Sequence, residues 1–291
     1  MARANAGAHR KRTVKPRGHT LLGRPVAYPQ RVDAGVLTAI ARDAARAGLD
    51  LAPDAPLSFQ GEDLWTCHEL SWLDAHGVPQ RAVAELRVPA GSPALIESKS
   101  LKLYLGGYAG ERCADTDTVC ARIAADLSAA AGATVAVALL PAAQWHMLAL
   151  AEPPGACIDT AAGTLSHYGP PAPALLRTQD GAAVSETLYS TLFRSNCPVT
   201  GQPDWATVVV DYRGPRIDHG ALLAYLVSYR THNAFHEQCV ERIWLELVRH
   251  CGCTQLTVHA RFTRRGGLDI NPLRSTLAGR RLPAWRRHPE Q

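Results

Sequence analysis

The chain has 291 residues, of which 46% are hydrophobic and 20% are charged, a composition typical of a globular protein that is long enough for two domains. No run approaches the ~18 apolar residues that a membrane helix needs, and the basic first residues are not followed by the apolar core of a secretion signal. These features exclude collagen-like, disordered and membrane-spanning proteins, and we expect a cytoplasmic protein whose eight cysteines are free thiols.

The net charge of +5 is carried by the two ends of the chain. Residues 1–24 contain seven Lys or Arg and no acid, and residues 273–291 contain five Arg and one Glu. Removing these +7 and +4 charges from +5 leaves about −6 on residues 25–272. A nucleic-acid-binding protein carries its positive charge on the folded surface, so RNA binding by the body is not expected. The two basic ends either keep the protein soluble or bind RNA, and the sequence leaves both possibilities open.

In the first half, apolar spacing predicts a helix, an irregular stretch, two strands, a second helix and a strand. They lie at residues 33–49, 50–80, 81–88, 96–105, 116–131 and 134–140. Thr116 is placed to cap the second helix and Gly132 to end it. Trp65 and Trp72 are expected to anchor the irregular stretch.

The second half repeats this order after a linker that contains PPG and PPAP sequences, which continue neither a helix nor a central strand. A strand, two helices and a strand are predicted at residues 206–212, 218–229, 233–252 and 256–263. Asp218 and Asn233 are the expected caps of the two helices, and Gly252 ends the second. No residue-level identity between the halves is expected. The order predicts an α+β fold, with antiparallel sheets that carry helices on one face.

The same pattern divides the chain into five parts. A basic tail, a first module, a linker, a second module and a second basic tail occupy residues 1–32, 33–151, 152–181, 182–272 and 273–291. Each module is long enough to bury a core of its own, and we expect both tails to be flexible.

Polar residues interrupt the apolar pattern in both halves. In the predicted strand 96–105, Glu97 and Lys99 share a face with three leucines, so they either bind a ligand or form a surface ion pair at the strand end. Cys197 lies in a polar loop that precedes a strand. A lone cysteine is usually a small buried hydrophobe, but Arg194 and His236 are candidates for the cationic neighbour that makes a thiol reactive.

Two further polar segments that are candidate functional sites lie in the second half of the chain. Glu237 follows His236 at the start of a helix, where it either complements the helix dipole or binds a ligand. The turn at residues 263–269 reads TRRGGLD, which suits a phosphate cradle and a hairpin turn equally well. A metal site is not predicted, because no two cysteines form a C-x-x-C pair.

Together these places resemble the NADPH-dependent 7-cyano-7-deazaguanine reductases, in their long two-module form. The matching segments are residues 69–73, 97–105, 195–205, 235–244 and 261–272. The resemblance implies two tandem tunnelling-fold (T-fold) modules that reduce a nitrile to a primary amine with two NADPH, in queuosine biosynthesis for tRNA. It also implies an active site between the modules and a homodimer. The acidic body makes direct binding of tRNA unexpected.

The resemblance further implies the roles of individual residues. Cys197 would add to the nitrile carbon, Asp204 would supply the proton to nitrogen, and His236 would assist proton handling. The residues that would bind 7-cyano-7-deazaguanine are Ile96, Glu97, Ser98, His236 and Glu237. Those that would bind NADPH are Ser98, Lys99, Arg265 and Gly266.

Three other functions stay open on the residues alone. A nitrile hydrolase also uses a Cys, Glu and Lys set, but it leaves the basic glycine turn without a role. A T-fold cyclohydrolase needs a Cys and His metal set, which the spacing does not offer. An RNA-binding adaptor would use the two basic tails, and the acidic body weighs against it.

Overall fold

The computed structural model describes residues 21, 26–49, 51 and 57–291, so most of the first basic tail lies outside the described residues. The elements of the first half are β1 (Ala39–Ala41), α1 (Arg42–Arg46), β2 (Gln60–Leu73), β3 (Pro79–Pro89), β4 (Ala94–Ile96), α2 (Ser98–Gly106), α3 (Thr116–Ala131) and β5 (Ala136–Pro141). Those that follow are β6 (Ala149–Leu150), β7 (Ala156–Cys157), β8 (Thr178–Asn196), β9 (Pro203–Ile217), α4 (His219–Val227), α5 (His236–Cys251), β10 (Gln255–Phe262), β11 (Leu268–Ser275) and β12 (Arg286–Arg287). Short 3-10 helices lie at Ala34–Val36, Gly107–Gly110, Ala142–Met147, Pro173–Leu175 and Ser228–Thr231.

One large sheet contains strands of both halves. Its order is β5-β3-β2-β11-β10-β9-β8-β7, and its neighbouring strands are antiparallel apart from β7 and β8. β2 and β11 pair from Cys67 opposite Leu268 to Gln60 opposite Ser275. The prediction of an α+β fold with antiparallel pairing is confirmed, and β11 joins the two halves into a single sheet.

The larger helices pack on one face of this sheet. Trp65 and Leu86 pair across β2 and β3 and belong to one core with Ile123 of α3. Val210 and Val258 pair across β9 and β10 and belong to a second core with residues of α4 and α5. Successive residues of a strand point to opposite faces, and the registers of the paired strands put both cores on the same face.

The halves share a residue pattern as well as an order of elements. α3 and α5 each have 16 residues, and each ends at a glycine in the left-handed conformation, as predicted for Gly132 and Gly252. In each half, two tyrosines four residues apart bond each other, and one bonds an acid of the longer helix. These sets are Tyr104, Tyr108 and Asp126, and Tyr225, Tyr229 and Glu246. The expectation of no residue-level identity between the halves is therefore wrong.

The first half differs from the prediction in three elements. Residues 97–105 form most of α2 instead of a strand, because the carboxylate of Glu97 caps a helix there. Residues 33–49 do not form one helix, because residues 39–41 pair with β4 and leave only the short α1. The 14 residues of β2 lie inside the stretch predicted to be irregular; both faces of the strand are covered, which removes the alternation that identifies a strand.

In the second half the prediction missed β8. This strand begins inside the predicted linker and runs beside β9. Its pairing register shifts between Ser190 and Phe193, and its first residues are exposed and polar. An irregular register and an exposed end both weaken the period of two from which a strand is predicted.

Of the two predicted caps, Asp218 of α4 is confirmed and Asn233 of α5 is wrong. Asp218 caps α4 by accepting a hydrogen bond of 2.8 Å from the N–H of Ala221. α5 begins after Phe235 and not after Asn233. The N–H of Phe235 donates to the side chain of Gln238 at 3.0 Å, so a side chain from inside the helix takes the place of a polar cap.

The C-terminal segment, residues 276–291, lies across the face of the sheet opposite to the helices. Leu282 is buried in a small core with Leu64, and the side chain of Gln291 donates to that of Asn271 at 2.8 Å. The first residues of the predicted second tail belong to β11. The expectation of a flexible C-terminal tail is therefore wrong, because this face of the sheet offers polar partners and an apolar patch.

A buried ion cluster lies between the sheet and helices α1 and α5. Arg274 is fully buried and pairs with Asp63 and with Glu241, each at 2.8 Å. Arg42 pairs with Asp63 at 2.5 Å, and Arg46 pairs with Glu241 at 2.7 Å. The cluster thus ties β2 and α1 of the first half to β11 and α5 of the second.

Candidate active site

A cleft of about 440 Å³ opens where the two halves meet. Eight of the ten predicted site residues line it, namely Ile96, Glu97, Ser98, Cys197, Asp204, His236, Glu237 and Arg265. The other two are their immediate neighbours in sequence, Lys99 and Gly266. The structure therefore brings the Glu97 motif of the first half and the Cys197 motif of the second into one site.

Glu97 is positioned by the small sheet of β1 and β4. Its N–H donates to the carbonyl of Thr38 at 2.9 Å, and its carboxylate accepts hydrogen bonds from the N–H of Lys99 at 2.7 Å and of Ser100 at 3.1 Å. The side chain is buried, so the alternative of a surface ion pair is excluded. Burial raises the pKa of Glu97, although the hydrogen bonds to the carboxylate act in the opposite direction.

Cys197 follows the end of β8, which is fastened to the segment before α5. The N–H of Asn196 donates to the carbonyl of His232 at 2.8 Å, and the N–H of Ala234 donates back to the carbonyl of Asn196 at 3.1 Å. The N–H of Cys197 then donates to the carbonyl of Gln202 at 2.8 Å, which closes the loop. These bonds hold the thiol beside the first turn of α5.

The surroundings of the Cys197 thiol favour the thiolate. Burial alone would raise its pKa, but hydrogen bonds from the hydroxyl and N–H of Thr200, the N–H of Val199 and the side chain of Arg265 lower the pKa below its ordinary value. The expected cationic neighbour Arg194 is turned away, since its guanidinium stacks on Trp205 at 5.6 Å. Arg265 takes its place.

Asp204 is held between two side chains. One carboxylate oxygen lies 3.1 Å from the guanidinium of Arg265, and the other lies 3.3 Å from Nε2 of His236. The imidazole of His236 is stacked on Phe262, with ring centroids 3.7 Å apart and planes 5° apart. The stack and the Asp204 contact together fix the plane of the imidazole at the floor of the cleft.

Glu237 is the second buried carboxylate of the cleft. Burial is the main cause of its raised pKa, and the negative charge of Asp63 adds to it, while His236 and Arg42 act in the opposite direction. A surface dipole partner would not be buried in this way. A carboxylate with a raised pKa at the wall of a cleft is suited to accept hydrogen bonds from a bound molecule.

The basic turn between β10 and β11 is a hairpin. Arg265 and Leu268 exchange backbone hydrogen bonds of 2.9 and 3.3 Å, and Gly266 and Gly267 both have positive φ, at 63° and 81°. Two successive residues with positive φ are the mark of a type I′ turn, which explains the glycine pair. This hairpin places the side chain of Arg265 in the cleft and Gly266 outside it.

A second cleft of about 370 Å³ begins at Gly266. It is lined by Lys102 and Gly106 of the α2 region and by the glycine pair of the hairpin. Lys102 lies 3.5 Å from Glu69, and glycine backbone also lines this cleft. Lys102, this glycine backbone and the Arg265 side chain of the adjoining cleft suit an extended anionic cofactor, so the residues present fit NADPH.

The sequence analysis missed the apolar wall of the cleft and the inner part of the Cys197 loop. The wall consists of Ile40, Trp65, Leu95, Phe235 and Ile270. These residues occur in ordinary apolar patterns, and nothing in their spacing separates them from core residues. Thr200 is different, because a hydroxyl three residues after a cysteine in a polar loop is a usable indication of a hydrogen bond to sulfur.

Neither a metal centre nor a membrane span is found in the part of the chain that the structure describes. No group of three or more His, Cys, Asp or Glu side chains there is arranged to hold a metal ion. No described helix is both long and apolar enough to cross a bilayer. All eight cysteines are free, as predicted.

Two family models match the chain. One is described as nitrile reductase, 7-cyano-7-deazaguanine-reductase N-term, and matches residues 28–139. The other is described as QueF-like protein and matches residues 203–279. The two matches fall on either side of the predicted linker.

Curated relatives cover most of the chain. An NADPH-dependent 7-cyano-7-deazaguanine reductase from Chromobacterium violaceum is 51% identical over 259 residues, which is 88% of this chain and 91% of the relative. Proteins of the same name from Paraburkholderia phymatum and Stenotrophomonas maltophilia are 49% and 52% identical over 256 residues. Those two matches cover 88% of this chain and 93% and 92% of the relatives.

Proposed function

Because the chain belongs to the family of NADPH-dependent 7-cyano-7-deazaguanine reductases, we propose that it reduces the nitrile of 7-cyano-7-deazaguanine to the amine of 7-aminomethyl-7-deazaguanine with two NADPH, in queuosine biosynthesis. One observation carries the assignment of the site. A cysteine with a lowered pKa and Asp204 share a cleft with two buried carboxylates, Glu97 and Glu237.

In the proposed first step, the sulfur of Cys197 attacks the nitrile carbon. A carbon–sulfur bond forms, one π bond of the C≡N group breaks, and the nitrogen takes a proton, which leaves a covalent thioimidate. Asp204 carries to the nitrogen the proton that the thiol has lost. The proposal is supported by the place of Asp204 in the same cleft and by its contacts with Arg265 and His236, which hold the carboxylate in position.

NADPH, when bound, supplies the two hydrides that the conversion of a nitrile to a primary amine requires. We assign its binding to Ser98, Lys99, Arg265 and Gly266. Ser98 and Arg265 line the first cleft, Gly266 lines the second, and Lys99 follows Ser98 in the sequence. Lys99 and Arg265 are suited to phosphate groups. The burial of Cys197 at the bottom of the cleft limits the access of water to the carbon that the thiol holds.

Recognition of the substrate is assigned to the two carboxylates and their neighbours. Glu97 and Glu237 accept hydrogen bonds from the N–H groups of the guanine-like edge, and carboxylates accept such paired bonds well. Ile96 and Ser98 border Glu97 in the cleft, and His236 borders Glu237. The carboxylates come from different halves of the chain, so the ligand lies across the junction between them.

The architecture and setting are part of the same proposal. The repeated order of hairpin, two helices and strands supports two tandem T-fold modules, with the predicted linker at residues 152–181 between them. T-fold proteins associate through their sheets, so we expect a homodimer. We also expect a cytoplasmic enzyme that acts on the free base and does not bind tRNA directly.

The test begins with 7-cyano-7-deazaguanine alone. Incubation of the protein with this nitrile, followed by intact mass spectrometry, should show one covalent adduct. Cys197→Ala should abolish the adduct and the turnover and keep the binding of the ligand, because the recognition groups are unchanged. Cys157→Ala is the matched control, since Cys157 is exposed and outside the cleft, and it should keep the adduct. Turnover by Cys197→Ala would contradict the mechanism.

Addition of NADPH then separates a reductase from a hydrolase. The oxidation of two NADPH for each amine formed is the expected result, followed by the absorbance of the nicotinamide. An adduct that disappears without oxidation of NADPH, with a carboxamide or acid as the product, would show that water attacks the thioimidate instead.

A further inference from the structure

The side chain of Arg265 points at the reacting groups of the cleft. Its Nη1 atom lies 3.1 Å from the carboxylate of Asp204 and 3.2 Å from the side-chain oxygen of Gln202. The guanidinium lines the same cleft as Cys197, and it is one cause of the lowered pKa of the thiol. One cation therefore contacts the proposed proton carrier and lies beside the nucleophile.

The other cations named for this role are placed differently. Arg194 belongs to β8 next to Trp205 of β9, on which it stacks, and it donates to Asn196 at 3.2 Å. His236 contacts Asp204 through Nε2 and is stacked on Phe262, so its position is already determined by other groups. Of these three cations, Arg265 is the one that lowers the pKa of the Cys197 thiol.

The position of Arg265 suits the charge of the reacting pair. Cys197 and Asp204 share one proton in the proposed step, so the pair carries one negative charge, on sulfur while Asp204 holds the proton and on Asp204 after the nitrogen has taken it. A guanidinium beside both groups stabilises this charge in either place, and it stays positive at every working pH. Gln202 strengthens the arrangement, because its carbonyl accepts from Cys197 while its side chain accepts from Arg265.

We infer that Arg265 is a catalytic residue of the addition step, which stabilises the Cys197 thiolate and holds Asp204 beside it, in addition to its proposed contact with NADPH. When the carbon–sulfur bond forms, the negative charge leaves sulfur for the nitrile nitrogen, which takes the proton from Asp204. Arg265 balances the charge of the cleft before and after this transfer. The identity of the nitrile in this inference rests on the proposed function. The effect of Arg265 on the ionisation of the Cys197 thiol does not.

The first test measures the thiol without substrate or cofactor. The rate of alkylation of Cys197 by iodoacetamide is followed against pH by peptide mass spectrometry in the unsubstituted protein, Arg265→Gln and Arg265→Lys. Arg265→Gln should slow alkylation at pH 7 about tenfold and move its midpoint to higher pH, because a charge-assisted hydrogen bond to the thiolate is lost. Arg265→Lys should recover part of the rate, since a positive charge returns.

Arg264→Gln is the matched control. It removes the same charge one residue away, on an exposed side chain that does not line the cleft. Its alkylation profile should coincide with that of the unsubstituted protein. An Arg265→Gln profile that also coincides with it would overturn the inference, and equal shifts in both variants would do the same by showing an effect of net charge alone.

The second test separates the addition step from cofactor binding. With 7-cyano-7-deazaguanine and no NADPH, Arg265→Gln should form the Cys197 adduct about tenfold more slowly at pH 7 than the unsubstituted protein. An unchanged adduct rate together with a raised KM for NADPH would reduce Arg265 to a cofactor ligand. If the unsubstituted protein forms no adduct at all, the proposed function fails, while the alkylation profiles still decide the role of Arg265 toward the thiol.

Discussion

The two glutamates of the cleft are held in different ways. Glu97 accepts two backbone hydrogen bonds of α2, so its charge has partners within its own helix. Glu237 is buried near Asp63, and burial together with this second negative charge raises its pKa. An ionised Glu237 therefore lowers the stability of the folded protein, and a bound molecule that donates hydrogen bonds to it recovers the difference.

Replacement of Glu237 should expose this balance. Glu237→Gln should raise the free energy of unfolding by about 1 kcal/mol at pH 7.5 and weaken binding of 7-cyano-7-deazaguanine at least about tenfold. The neutral side chain removes the cost of a buried charge, and it replaces one of two carboxylate acceptors by an NH₂ donor. Urea unfolding and titration calorimetry measure the two effects.

The pH dependence gives the sign of the effect of Glu237. Because the carboxylate pKa is raised, the ionised Glu237 lowers the stability of the fold above this pKa, and this loss of stability disappears as the pH falls through it. The gain in stability of Glu237→Gln should therefore shrink on acidification, where the Glu237 of the unsubstituted protein is neutral too. A gain of equal size at every pH would show that the charge is not its cause.

The candidate site residues could be predicted from the sequence because charged groups in apolar elements are costly. Glu97, Cys197 and Glu237 all interrupt an apolar pattern or a regular element, and they meet in the cleft. The contact between Arg265 and Cys197 could not be predicted in this way. It depends on how the β10–β11 hairpin projects over a loop that is distant in sequence, whereas proximity in sequence favoured Arg194, which the register of β8 turns away.

At the scale of elements, α2 and α4 are equivalent helices with different uses for their caps. Both have nine residues and both begin after a carboxylate, Glu97 in α2 and Asp218 in α4. Glu97 faces the cleft, and Asp218 is not among the residues that line it. The pair therefore offers an internal comparison between a cap that serves the site and a cap that serves only its helix.

Substitution of the two caps should separate stability from activity. Asp218→Ala should lower the free energy of unfolding by about 1 kcal/mol, through loss of the bond to the N–H of Ala221, and leave KM and kcat unchanged. Glu97→Gln keeps an acceptor for the helix but loses the charge, so it should change stability little and weaken substrate binding about tenfold or more.

Acid separates the two caps further. The hydrogen bond from Ala221 lowers the pKa of Asp218, so the stability that this cap contributes is present at neutral pH and is lost as the pH falls through that pKa. A loss of substrate binding in Asp218→Ala equal to that in Glu97→Gln would contradict the division of roles.

The long helices with one exposed face were predicted well from the sequence, and β2, which is covered on both faces, was not. α3 and α5 show a clear apolar period and end near the expected residues. β2 is buried by helices on one side and by the C-terminal segment on the other, so its period of two is lost. α2 was read as a strand because Leu101, Leu103 and Leu105 alternate, although Leu101 and Tyr104 also have helical spacing.

At the scale of the whole molecule, the buried ion cluster holds the halves together. Arg274→Met should lower the free energy of unfolding by about 3 kcal/mol or more, because Asp63 and Glu241 then lose a partner while they stay buried. Arg280→Met is the control, since Arg280 pairs with Asp211 at the surface and should cost less than about 1 kcal/mol. Urea unfolding of both variants checks the difference, and equal losses would refute the importance of burial.

The pairing of β2 with β11 also has a consequence for the order in which the protein is made. β2 leaves the ribosome early, but the strand that covers its free edge ends only at Ser275. During synthesis this edge is unpaired while the rest of the sheet grows, and an unpaired edge is where nascent chains stick to one another. The strand that covers this edge also brings Arg274, the buried partner of Asp63. The edge is therefore closed and the ion cluster completed by the same late segment of the chain.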